Sequence, residues 1–195
     1  PVNAKTMRRT GKLMKPKSNP LRIVQLVFLL TAAVWLGGTV FFTFVAGPMF
    51  FAPELAEVLP KPRDGLVAQA LIHRFMAFQL SLAVIAMLTL LVGWRLEGGA
   101  FPRARVLLLA GLVALIVFGL FYITPRLEWL HRLKYPDYFI EGATPEQTAY
   151  ANKAFGPLHG FSQVGNLAVL LGLVAQFILA WKAATLGKGK FNSQS

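Results

Sequence analysis

Cysteine is absent from the 195 residues. No disulfide, thiolate-bound metal, iron–sulfur cluster or cysteine nucleophile can be built from this chain. Charge is scarce, at 14% of residues, where soluble domains carry about 25%. Acids are scarcer than bases: 8 Asp and Glu stand against 20 Lys and Arg, for a formal net charge of +12. No acid falls inside a long apolar run, so the sequence offers no buried carboxylate for a proton relay. Catalytic signatures are missing too: there is no His-Glu-x-x-His, no Gly-x-Ser-x-Gly and no phosphate-cradling glycine loop. These absences point away from an enzyme and from a proton-driven pump.

What the chain has instead is apolar length, with 55% hydrophobic residues. Ile23–Ala46, Phe75–Trp94, Val106–Thr124 and Phe161–Trp181 are each about 20 residues long, enough to cross a ~30 Å hydrocarbon layer as helices. None shows the period-two alternation of a barrel strand, and lipid leaves no other way to satisfy the backbone. The predicted fold is all-α, an integral membrane four-helix bundle in up-down order. Residues 1–20 read as a basic cytoplasmic tail, 21–182 as the transmembrane domain and 183–195 as a second short basic tail. The first run is longer than the 7–15 apolar residues of a signal peptide, so it reads as an uncleaved anchor.

Spans in alternating directions put both termini and the connection 95–105 on one side. That side holds 13 Lys and Arg and one acid; the other holds 7 of each sign. The charge surplus therefore orients the chain, with both termini cytoplasmic and a bacterial inner membrane as the expected setting. The bases flank apolar runs and form no nucleic-acid face. The expected partners are the lipid bilayer and other membrane proteins or further copies of the chain.

The connections carry their own signals. Pro53, Pro60 and Pro62 break the segment after the first span. Glu97-Gly98-Gly99 is a tight turn between the second and third. Leu127–Leu133 extends the third helix or lies along the interface. Thr144-Pro145-Glu146-Gln147 has Thr at N-cap, Pro at N1 and Gln in the capping-box position, and predicts a short helix ahead of the fourth span. The two hairpins resemble each other: Gly47-Pro48 and His73-Arg74-Phe75 in the first answer to Thr124-Pro125-Arg126 and His159-Gly160-Phe161 in the second.

Polar residues gather towards the neutral ends of the spans. His159, Ser162, Gln163 and Asn166 share one face of the fourth helix by their spacing. Trp35, Thr39 and Thr43 share a face of the first, and Gly111, Leu115, Gly119, Tyr122 and Arg126 a face of the third. With His73 and Arg74 they outline a polar pocket of Trp35, Thr39, Arg74, Tyr122, Arg126, Ser162, Gln163 and Asn166. Small and amide residues at such spacings also serve helix packing. Met49 and Met76 fall at the same end. Thioether and imidazole together suit a soft ion, so His73, His159, Met76 and Met49 form a candidate copper site. Two histidines opposed across a bundle are alternatively b-type haem ligands.

Trp35-Leu36-Gly37-Gly38, Phe41-Phe42, Gly47-Pro48, Tyr122-Ile123-Thr124-Pro125-Arg126-Leu127 and Phe155-Gly156-Pro157-Leu158-His159-Gly160 together resemble the transmembrane-protein-205-like family. That resemblance covers about residues 22–181. It implies a four-helix membrane domain of unknown activity, with Trp35, Gly38, Pro48, Pro125, Arg126 and His159 as shared-site candidates. More distantly the chain is similar to the membrane domain of copper-resistance protein D, thought to admit copper, and to HemJ-type proteins, which bind haem. Three functions follow as expectations: metal-ion or small-solute handling through the polar pocket, a non-catalytic subunit of a membrane complex, or a haem protein.

Overall fold

Four helices long and apolar enough to cross a membrane carry the structure, a computed structural model describing residues 20–50, 52–139 and 143–186. They are α1 (Pro20–Met49), α3 (Arg63–Glu97), α4 (Arg103–Lys134) and α6 (Pro145–Leu186). Two short helices, α2 (Pro53–Val58) and α5 (Pro136–Phe139), sit in the connections. Residues 1–19 and 187–195, which hold most of the two expected basic tails, lie outside the described residues.

Each long helix packs on its neighbours in sequence, and α1 closes the ring against α6. This is the up-down four-helix bundle that the apolar runs predict. Its core is built from all four helices, with Trp35, Ala83, Leu109 and Leu173 at its centre. The outer surface is apolar as well, with Leu30, Leu88, Leu107 and Leu171 all more than half exposed. In water that surface would be a liability; in hydrocarbon it is the solvated face.

The tight turn between α3 and α4 closes by chain chemistry. Gly98 takes the left-handed conformation at φ 63° and its N–H bonds to the Trp94 carbonyl. The Trp94 indole donates to the Gly99 carbonyl at 3.0 Å and meets the Phe101 ring edge-on.

At the opposite, charge-neutral end the helices run well past the apolar segments. The helix predicted to start at Thr144 does start there: the Thr144 N–H donates to Gln147 Oε1 at 2.9 Å, and the Gln147 N–H to Thr144 Oγ1 at 3.3 Å. It is not a short separate helix, however. It continues through Pro157 into the fourth span as a single element of 42 residues, about 63 Å at 1.5 Å per residue. Packing is the reason. Ala151, Ala154, Phe155 and Leu158 on this stretch close over Leu130 and Leu133 of α4, a second apolar cluster beyond the membrane. Tertiary burial holds a helix through a proline that local propensity would break. α3 likewise begins at Arg63, ten residues before His73.

α1 and α4 each contain one widened π turn, Phe42–Ala46 and Gly119–Ile123. Both stand just before a proline, Pro48 and Pro125. Proline has no N–H to give and crowds the carbonyl four residues back, and the wider turn absorbs both defects. The Thr124 hydroxyl donates to the Gly119 carbonyl at 2.9 Å, satisfying an acceptor in that turn. The register that superposes the two π turns pairs Ala32, Trp35 and Thr39 with Leu109, Leu112 and Ile116, and all six are buried. At each π turn an aromatic ring also meets the long helix that follows, though the two contacts are one residue out of that register and differ in geometry. Phe75 stacks on Phe42 at 4.1 Å, and Phe161 meets Phe118 edge-on at 6.5 Å. The hairpin likeness seen in the sequence thus extends to local backbone geometry.

Candidate functional site at the neutral end

Polar pairing rises through the bundle in layers. Deepest is Trp35, whose indole N–H donates to Gln79 Oε1 at 3.1 Å with both side chains buried. The Thr39 hydroxyl, also buried, donates to the Trp35 carbonyl at 2.9 Å. One turn on, Asn166 of α6 donates to Thr43 Oγ1 of α1 at 2.8 Å. The Trp35–Gln79 and Asn166–Thr43 bonds cross between helices, which is how amide and hydroxyl groups join spans, while the Thr39–Trp35 bond lies within α1.

The seam between α3 and α4 is the chemically richest part. Met76 Sδ lies 3.6 Å from the Thr124 hydroxyl, and the Met76 methyl packs over Gly119, where an added Cβ would come within 3.0 Å of it. His73 is one turn towards the neutral end on the same face of α3. Its Nε2 stands 3.8 Å from Glu128 Oε2, one turn beyond Thr124 on α4. Glu128 Oε1 accepts from Arg132 at 2.8 Å. A thioether, an imidazole and a carboxylate therefore occupy successive levels of one seam.

The other predicted residues lie elsewhere. His159 meets its own-helix neighbour Gln163 at 3.1 Å and stacks on Phe155. Ser162 is half-buried and Arg74 exposed. Met49 is 58% exposed. Tyr122 and Arg126 stand on the outward face of α4, where they line an open groove of about 360 Å³ with Pro125 and Trp129. The eight outlined pocket residues thus occupy several levels and faces of the bundle. Among the described residues no three of His, Cys, Asp and Glu cluster as a metal site, so a site here would draw on thioether or hydroxyl donors.

Sequence reasoning missed four residues. Gln79 was signalled by Trp35, since an indole N–H in an apolar span needs an acceptor. Glu128 was signalled only as a charge in a balanced connection. His131 is buried; its Nε2 lies 3.2 Å from the Pro62 carbonyl, which can only accept, so the ring proton sits there. Gln176 is 2% exposed, and neither amide atom has a hydrogen-bond partner among the described residues. At the basic end, Gln25 donates to Glu97 at 3.0 Å beside a cavity of about 60 Å³, and the Arg105 guanidinium lies over the Phe28 ring.

Residues 30–136 match a family profile described as a domain of unknown function, DUF4149. The chain belongs to this DUF4149 family. The matched segment of the DUF4149 domain runs from within α1 to the start of α5. It takes in both π turns and the seam residues His73, Met76, Thr124 and Glu128; the whole of α6 lies beyond it. No curated protein and no solved structure matches the chain.

Proposed function

We propose that this DUF4149 protein handles a metal ion or small polar solute at the neutral end of its bundle, with His73 and Met76 as principal donors. The observation that carries the reading is the α3–α4 seam, where the thioether and imidazole face Thr124 and Glu128 one turn apart. Soft thioether with borderline imidazole favours a soft ion such as Cu(I), and Glu128 would orient the imidazole from outside. The likeness of the Thr124-Pro125-Arg126 and His159-Gly160 motifs to the transmembrane-protein-205-like family belongs to the same proposal. So does the orientation, with the basic end in the cytoplasm of a bacterial cell, supported by the one-sided Lys and Arg surplus. A reporter fused after Ser195 is expected on the cytoplasmic side, and an external reading would reverse the assignment.

The binding test uses detergent-purified full chain and a chromogenic Cu(I) chelator as competitor. The wild type is expected to withdraw one Cu(I) per chain. His73→Ala with Met76→Leu should weaken that binding at least about tenfold, since loss even of a supporting ligand partner costs roughly 10–100-fold. Equal competition by wild type and variant would remove the seam from the account.

A further inference from the structure

We propose that the groove on the outward face of α4 binds the headgroup of an anionic phospholipid. This inference rests on the membrane fold and is independent of the metal reading. The apolar run of α4 ends at Thr124, so the groove lined by Tyr122, Pro125, Arg126 and Trp129 lies where hydrocarbon gives way to headgroups. Tyr122, Arg126 and Trp129 are spaced four and three residues apart, which puts them on one helical face. Leu115 and Phe118 continue that row towards the membrane centre and are 41% and 45% exposed, a track for an acyl chain.

The charge is what distinguishes this groove from an ordinary aromatic belt. Arg126 is exposed and makes no ion pair or hydrogen bond among the described residues, while its neighbour Arg132 is paired with Glu128. The Tyr122 hydroxyl and the Trp129 indole N–H have no hydrogen-bond partner there either. Both rings are held in place. Tyr122 stacks on Phe118 at 5.1 Å, and Trp129 meets Tyr150 of α6 edge-on at 6.3 Å. An unpaired guanidinium between two ordered donors matches a phosphodiester, which Arg can grip with two parallel N–H bonds. A volume of about 360 Å³ takes a phosphoglycerol group. A zwitterionic headgroup would bring its own ammonium to a cation and gain less.

Native mass spectrometry of the detergent-purified chain, titrated with phosphatidylglycerol, tests the proposal. The wild type should retain one lipid preferentially over phosphatidylcholine. Arg126→Gln should weaken that first binding about tenfold, the scale of one charge-assisted hydrogen bond. Trp129→Ala should weaken it in the same direction, while Arg103→Gln at the basic end leaves it unchanged. Wild-type retention by Arg126→Gln would overturn the site. So would equal binding of phosphatidylcholine, loss in Arg103→Gln instead, or displacement of the lipid by millimolar inorganic phosphate.

Discussion

Trp35→Ala is expected to destabilise the bundle by about 3–5 kcal/mol, the range for removing a buried large aromatic. Trp35 is 1% exposed and sits in the central core cluster. Close-packed neighbours relax only partly into the space it leaves. Gln79 would also lose its side chain's one hydrogen bond among the described residues. Trp35→Phe separates the two effects. It keeps most of the volume and removes the donor, and should cost nearer 1 kcal/mol, since hydrogen bonds between spans average about 0.6 kcal/mol. Reversible unfolding in mixed micelles with increasing dodecyl sulfate measures both. A cost for Trp35→Phe equal to that of Trp35→Ala would mean that the Trp35–Gln79 bond, and not packing, holds the core.

The second large effect is at the neutral end. Gly65→Ala is expected to cost about 1–3 kcal/mol, the usual price of overpacking. A Cβ on Gly65 would run into the His131 imidazole. That ring has little room to move. It is bonded to the Pro62 carbonyl and ringed by Tyr135, Phe139 and Phe155. The damage should concentrate beyond the membrane, where α3, α4 and α6 meet, and show as faster proteolysis in residues 135–144. Coupling gives the sharper check. In a His131→Ala background the added methyl meets open space, so Gly65→Ala should cost little more there. Additive costs in the double variant would break the assigned contact.

The four spans, the turn at Gly98 and the Thr144–Gln147 capping box were legible because each depends on local chemistry. Hydropathy marks only the part of a helix that lipid selects. The extensions of α3 and α6 past the membrane depend on Gly65 under His131 and on Ala151 against α4, contacts between segments distant in sequence. The π turns left no trace beyond their prolines, which read equally well as helix ends. The site was legible as residue types more than as an arrangement. Spacing placed Leu115, Tyr122 and Arg126 on one face of α4, yet it could not say which way that face turns. In water the core face is the apolar one. In lipid both faces are apolar, and packing of Leu109, Leu112 and Ile116 decided the rotation.

The central claim is that His73 and Met76 bind a soft ion together. X-ray absorption at the copper edge of the Cu(I)-loaded protein tests it most directly, because a chain without cysteine can present sulfur to copper only through methionine. The account expects both nitrogen and sulfur scatterers in the wild type, with the sulfur signal gone in Met76→Leu. A first shell of nitrogen and oxygen alone, or one unchanged by Met76→Leu, would contradict it.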